Sequence, residues 1–284
     1  MKNIIFWWRN RANKPVTIVI LILHLLLLGS FTPYCFSWSG VIISIILYCI
    51  TIGLGIGVCY HRLLTHRSFK TPKWVRCILT LCGCLAWQGS PIIWVGTHRY
   101  HHKHSDKDDD PHSPKHGFTW AHIIWVLTKS PEGFKETDQA KDLLKEPMMM
   151  KMHKWFWLPQ VIVAILLILG GLYFGGIQLA LSWFMWGIVI RTIAAFHFTW
   201  FVNSAAHTWG YTNFNNTDDN SKNLWWVAIF SFGEGWHNNH HGEPSSASHG
   251  MRGFELDPTY WIISLMGLLG LASDIKKPKR WKKK

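Results

Sequence analysis

Two long stretches of this chain carry no charged side chain. No Asp, Glu, Lys or Arg occurs between Pro15 and Tyr60, and none between Trp155 and Ile190. A hydrocarbon core of ~30 Å takes about 20 apolar helical residues to cross. Each stretch is therefore two crossings long and reads as a helical hairpin. The pattern predicts helices near 16–36 and 41–60, and near 157–174 and 177–200. A signal peptide also sets basic residues before an apolar run, but the first run is too long for one and a second span follows at once. A long hairpin buried in a soluble core is the other reading such runs allow.

Charge gives the orientation. Lys2, Arg9, Arg11 and Lys14 precede the first hairpin, while the loops inside the hairpins, Gly29–Gly40 and Gly170–Gly176, carry no charge. The positive-inside rule then places both termini and the middle segment in the cytoplasm. The net charge of +13 owes much to the run Lys276–Lys284. Such a run attracts anionic lipid or an acidic protein, or is simply a solvated tail. Nucleic acid fits poorly beside four spans. The six cysteines, all between Cys35 and Cys84, include no C-x-x-C. That speaks against an iron–sulfur cluster or a thiolate zinc site and leaves reduced, buried thiols.

Histidine carries the chemistry. His98-Arg99-Tyr100-His101-His102 and His237-Asn238-Asn239-His240-His241 share one spacing, and His61 and His66 form a third group. Helical residues at i, i+3 and i+4 share a face, so each five-residue box is expected to aim three imidazoles at one point. Eight box histidines are too many for one metal, and two ions are the natural count. Neutral imidazole suits iron, zinc, copper or nickel. The metalloprotease pattern H-E-x-x-H is absent. An all-nitrogen pair beside a bilayer points to oxygen activation on a lipid-borne chain.

Outside the boxes, His104, His112, His116, His122, His153, His197 and His249 read as hydrogen-bonding groups, and His24 as an imidazole facing a neighbouring helix. Asp106, Asp108, Asp109 and Asp110 either orient ligands or Arg99, or form an exposed acidic loop. Arg191 and His197 are expected at the polar end of the fourth span, their side chains reaching for water. Val75–Trp94, interrupted by Gly83, Gly89 and Pro91, reads as an interfacial segment. Tyr260–Ala272 reads as a helix too short to cross.

The boxes H-R-L-L-T-H, H-R-Y-H-H and H-N-N-H-H resemble those of the membrane fatty acyl desaturases, the stearoyl-CoA and acyl-lipid delta-9 group. The likeness runs from about Gly57 to Pro258. It includes Asp110-Pro111-His112, Asn203-Ser204-Ala205-Ala206-His207 and Gly233-Glu234-Gly235-Trp236. The resemblance implies an all-α integral membrane protein with four transmembrane helices in two hairpins. A cytoplasmic helical cap would hold a histidine-rich di-iron site. It implies one domain over 1–284, with hairpins at 16–60 and 157–200, the cap at 61–156 and 201–275, and a basic tail at 276–284. One iron would be held by His61, His66, His102 and His241, with Asn203 reaching it through water. The other would be held by His98, His101, His207, His237 and His240.

The activity so implied is O2-dependent desaturation at carbon 9 of a saturated acyl chain, carried on CoA or on a lipid. Gln88, Trp94 and Thr199 would line the bent substrate tunnel. The apolar run Gly89–Thr97 is nearer to the acyl-lipid enzymes. No flavin, nicotinamide or haem motif occurs, so electrons would come from a separate donor resembling ferredoxin or cytochrome b5. A related di-iron hydroxylase, or a desaturase acting at another carbon, would share these ligands. A membrane metal-binding protein without oxidative chemistry would need ionisable groups along a path across the bilayer, and the charge-free spans offer none.

Overall fold

The computed structural model describes residues 11–131, 133–215, 217 and 219–279. Lys2, Arg9 and the tail from Arg280 onward lie outside them. Among the described residues every regular element is helical, and β pairing is limited to isolated bridges such as Lys70 with Ser273.

Helix α1 (Lys14–Ser30) starts with Pro15 in its first turn, where a missing N–H costs nothing. After a short 3-10 turn, Ser37 caps α2 (Trp38–Tyr48). Its Oγ accepts from the Gly40 N–H at 3.0 Å and pairs with Ser182 Oγ at 2.7 Å. Helix α2 runs unbroken into a π-helical stretch, Cys49–Thr65. Together Trp38–Thr65 makes a rod of 28 residues.

Polar and amphipathic segments follow. Helix α3 (Lys73–Cys84) buries Val75 and Leu79 and exposes Trp74, Ile78 and Leu81. The chain breaks there and restarts at α4 (Pro91–His104), capped by Ser90 with Pro91 at its first position. Helix α5 (Pro147–Trp155) leads into α6 (Leu158–Phe184), whose continuation runs through a second π-helical stretch, Met185–Ile190, into α7 (Arg191–Ser204).

Among the described residues, Leu158–His207 is the second of two segments long and apolar enough to cross a membrane. It is not straight. Gly176 sits at φ +72°, and a Cβ on Gly171 would lie 2.4 Å from Ala180 Cα. In a straight helix those residues would be about 13.5 Å apart, so the segment doubles back at Gly175–Gly176, at the expected break. The second hairpin begins at Leu158 and turns between 174 and 177. In the first, α1 stops at Ser30, sooner than expected, and the second rod continues to Thr65.

The outward faces of these helices are apolar. Leu25, Leu28, Ile42, Ile45, Leu166 and Leu169 are exposed, as suits a hydrocarbon solvent. Inside, Ile20 and Leu23 of α1 pack with Met185, Val189, Ile193 and Trp200 of the returning strand of the hairpin. Arg191 departs from expectation. It is 1% exposed and donates to Leu85 O and Gln160 Oε1, both at 2.6 Å. Fixed acceptors within reach make burial cheaper here than extension to water.

A second core joins the π-helical end of the α2 rod to α3, α4, α5 and the late helix α10 (Pro258–Leu268). It is built on Ile56, Tyr60, Leu64, Leu79, Ile92, Val95, Met149 and Ile263. Two short helices complete this layer, α8 (Trp225–Phe230) and α9 (His237–Gly242). Asp257 caps α10, which ends at Leu268, four residues short of the expected Ala272. All nine expected histidines stand within this layer.

Candidate metal centre

The π-helical end of the α2 rod explains the spacing of the first histidine pair. In an α-helix, residues five apart point about 140° away from each other. Here the His66 N–H donates to His61 O at 3.1 Å, an i→i+5 bond. The two rings therefore meet, with centroids 4.8 Å apart.

The other boxes divide. His98 and His102 of α4 turn toward His61, His66 and His240, while His101 turns toward His207, His237 and His241. Within each group the imidazole nitrogens lie within 4.8 Å of one another. The nine histidines thus converge in two adjacent clusters, one of five and one of four. The grouping differs from the expected one: His241 belongs with the four, and His98 and His240 with the five. The expectation of three rings aimed at one point also fails. Residues i and i+4 are only about 40° apart on a helix, but i+3 and i+4 are about 100° apart. Each box therefore gives its i, i+4 pair to one cluster and its i+3 ring to the other. Asn203, expected with the first group, sits one turn before His207, which belongs to the four-histidine cluster.

The ring nitrogens face one another across short gaps. His61 Nε2 is 3.1 Å from His240 Nε2, which is 2.8 Å from His102 Nε2. In the second cluster His237 Nε2 lies 2.9 Å from His207 Nε2, and His101 Nε2 lies 3.4 Å from His241 Nε2. Behind them stand carboxylates. Nδ1 of His101 donates to Asp110 at 2.9 Å, that of His207 to Asp106 at 3.2 Å, that of His241 to Asp219 at 2.6 Å, and that of His61 to Glu234. An imidazole that spends its proton on Nδ1 presents a bare lone pair at Nε2. His101 and His241 then face each other lone pair to lone pair. His66 Nε2 is buried with no partner. A cation between these nitrogens satisfies them all, so the residues fit two metal ions.

Electrostatics agree. Burial holds His66, His98, His102, His237 and His240 well below the usual imidazole range, and neighbouring histidines add to the effect. Burial also brings His241 down to about 4, against the pull of Asp219. Burial lowers His101 too, but Asp110, with Asp106 and Asp219 behind it, outweighs that and raises it. Burial would raise Asp110 and Asp219, but their histidine partners hold both below the ordinary carboxylate range. Neutral ligands with ionised carboxylates behind them are the state that binds metal.

Of the acidic run, Asp106 and Asp110 orient imidazoles, Asp108 and Asp109 are exposed, and Arg99 pairs instead with Asp142. Glu234 enters the sequence reading only within the motif Gly233–Trp236, with no role of its own, and Asp219 does not enter it. Glu234 stands three residues before His237, yet it serves His61. Its other oxygen accepts from Arg62, a fully buried guanidinium that also meets Asp257 and His249. His249 and His112 lie against the clusters, 4.5 Å from His240 and 4.2 Å from His101 between ring centroids. His24, His197 and His122 form a separate chain, 3.0 and 2.9 Å between nitrogens, that ends on Ser204.

Gln88, Trp94 and Thr199 come together beside the five-histidine cluster. Gln88 Nε2 donates to Thr199 Oγ1 at 2.9 Å, and Trp94 Nε1 donates to Gln88 Oε1 at 3.3 Å. The Trp94 ring stacks on His98, 5.1 Å between centroids.

A model of the family described as fatty acid desaturase matches residues 36–264. The chain belongs to the fatty acid desaturase family. It is an oxidoreductase that desaturates fatty acids, and its buried histidine clusters suit the metal dependence of such chemistry. The sn-1 stearoyl-lipid 9-desaturase of Anabaena variabilis is 46% identical over 94% of this chain and 95% of its own length. The sn-2 palmitoyl-lipid 9-desaturase of Nostoc sp. (strain 36) is 42% identical over 94% and 93%. An acyl-CoA C20 delta-5 desaturase of Anemone leveillei is 41% identical over 96% and 86%.

Proposed function

We propose that this desaturase inserts a cis double bond at carbon 9 of a saturated chain carried on a membrane glycerolipid. Two irons would be held by His61, His66, His98, His102 and His240, and by His101, His207, His237 and His241, with Asn203 contributing through water. The observation that carries the reading is the pair of nitrogen clusters with carboxylates behind four of their nine rings. The named relatives of highest identity support the carbon and the lipid carrier.

Bound iron supplies the activation of O2. This chain's residues do the rest. Asp106, Asp110, Asp219 and Glu234 keep the proton on Nδ1 and so keep Nε2 free to bind metal. Trp94, Gln88 and Thr199 would shape the end of the acyl chain nearest the five-histidine cluster. Burial of the clusters keeps bulk water from the oxidising site. O2 takes four electrons and four protons on the way to two waters. Two of each leave the acyl chain with its hydrogens, two protons come from solvent, and two electrons come from a separate one-electron donor.

We further infer that both hairpins span the bilayer, giving four crossings within a single domain. The termini and the histidine layer would lie together on the cytoplasmic side. The support is the apolar exposed surface of the helices and the uncharged hairpin loops. A second regiospecificity is the competing reading, since a relative of 41% identity is named for carbon 5.

Expression in a desaturase-deficient host, with double bonds located by mass spectrometry, tests the reading. New palmitoleate or oleate, lost in His240→Ala, supports it. A bond at another carbon transfers the assignment to that position. No new unsaturation from inserted protein with a competent donor refutes it.

A further inference from the structure

A cavity of about 790 Å³ opens directly onto the clusters. His66, His102 and His241 form its floor, and they are three of the four ligand candidates that are not fully buried. The fourth, His98, lies under Trp94 instead. This cavity is thus the route by which the nitrogen clusters come nearest to solvent among the described residues.

Its rim is basic. Arg67, Lys103 and Lys276 are exposed and line it, with Arg99 deeper in. Asp219 is the one carboxylate among the described lining residues, and His241 occupies it. Asp142, behind the arginines, pairs with both Arg67 and Arg99. Glu243 turns aside to accept the Lys279 N–H. Beyond Lys276 the sequence continues with Lys277, Lys279, Arg280 and Lys282–Lys284. Among these described residues four cations, Arg67, Arg99, Lys103 and Lys276, stand against two carboxylates, Asp142 and Asp219.

Charge inside the protein points the same way. Three aspartates stand behind the four-histidine cluster. The five-histidine cluster has Glu234 alone, and Arg62, shared with Asp257, offsets part of its charge. The cavity meets that less negative cluster at His66 and His102. A less negative site accepts an added electron more readily.

We propose that this basic mouth is the docking surface for a small acidic protein that carries one electron at a time. The inference rests on the desaturase reading and adds a partner surface to it. The carrier's anionic face would seat over Lys103 and Lys276, bringing its redox group above the edges of His66 and His102. Each docking would oxidise one carrier, and two dockings per turnover supply the two electrons that the acyl chain does not.

The test uses the full-length protein in nanodiscs and a plant-type [2Fe–2S] ferredoxin as the acidic probe. Affinity is measured as a function of salt for the parent, for Lys103→Glu/Lys276→Glu, and for Lys151→Glu, an exposed site outside the cavity lining. Docking here predicts that the double variant loses about tenfold or more in affinity at low salt. The gap should close near ~0.5 M salt, and Lys151→Glu should match the parent. Product formed with a chemically reduced viologen should be equal in all three. Equal ferredoxin affinity in parent and double variant overturns the proposal. So does a loss confined to binding of anionic vesicles, which would make the mouth a lipid-facing patch. Absence of product from the parent with viologen would instead strike the desaturase reading, and the binding measurement would stand apart from it.

Discussion

Replacing Asp219 by Asn tests the centre where it is least redundant. One oxygen of Asp219 accepts from His241 Nδ1 at 2.6 Å, and the other accepts the Ser221 N–H at 3.0 Å. The side chain is 7% exposed, so water has little access to either bond. An amide offers only one acceptor oxygen, so its NH2 must face one of these two donors. Either a buried donor is left unmatched, or His241 moves its proton to Nε2 and ceases to be a ligand. An unmatched buried group costs about 1–3 kcal/mol, and each 1.4 kcal/mol is about tenfold in affinity. The expected loss is about 10- to 100-fold, the range for partners behind metal-bound histidines. The assay is competition of Co2+ or Zn2+ between a chelator and the metal-free protein, resolved into two sites. One site should weaken while the other stays within about threefold. Asp109→Asn, at an exposed carboxylate, should leave both unchanged. Undiminished affinity, or equal loss at both sites, would refute the division into clusters and the role of the carboxylate.

Other outcomes follow from the same structure. Gly171→Leu forces side-chain atoms into the Ala180 backbone. It should destabilise the hairpin by about 1–3 kcal/mol, read as a lower melting temperature in detergent with unchanged metal stoichiometry; an unchanged melting temperature contradicts the close approach. Thr199→Val removes the hydroxyl that Gln88 meets at 2.9 Å, a bond worth about 1 kcal/mol. The chain-length profile of products should shift with metal content constant, and an unchanged profile would separate this network from substrate selection. The metal-free protein should lose stability as pH falls below 6.5. His241 is held near 4 against an ordinary 6.5, and His66, His98, His102, His237 and His240 are lowered too. The folded chain then binds fewer protons than the unfolded one between those values, and only His101 opposes the trend. Thermal unfolding at pH 7.5 and 5.5 measures this, and equal stability would count against the burial of these rings as neutral groups.

The helices were legible in the sequence because their cause is local. Lack of charge over Pro15–Tyr60 and Trp155–Ile190 predicts apolar rods, and Gly175-Gly176 supplies the only conformation that reverses the second one so tightly. Arg191 was misread because its acceptors, Leu85 O and Gln160, are distant in sequence. The same limit hid Asp219 and Glu234. Asp219 lies in a loop 22 residues before the histidine it serves, and Glu234 pairs with a ring 173 residues away. Residue type marks the ligands, since few other uses gather so many imidazoles. Their partners are ordinary carboxylates that only the fold distinguishes.

The division of each box follows from helix geometry, and it couples the two clusters. Helix α4 gives His98 and His102 to one cluster and His101 to the other; α9 gives His237 and His241 to the second and His240 to the first. Each cluster thus draws on both helices, in opposite proportion. Neither can assemble unless α4 and α9 dock in register, because a one-residue slip rotates a helix face by about 100°. Nor can the first pair be spaced like the others. His61 and His66 must both face the five-histidine cluster, and neither crosses to its neighbour. Five residues of α-helix would point them apart, whereas the π-helical end of the α2 rod brings them to one face. The irregular spacing of the first box and the exchange of rings between the other two answer one requirement: two adjacent histidine clusters, served from three helices and the 3-10 turn that carries His207, without a shared ligand.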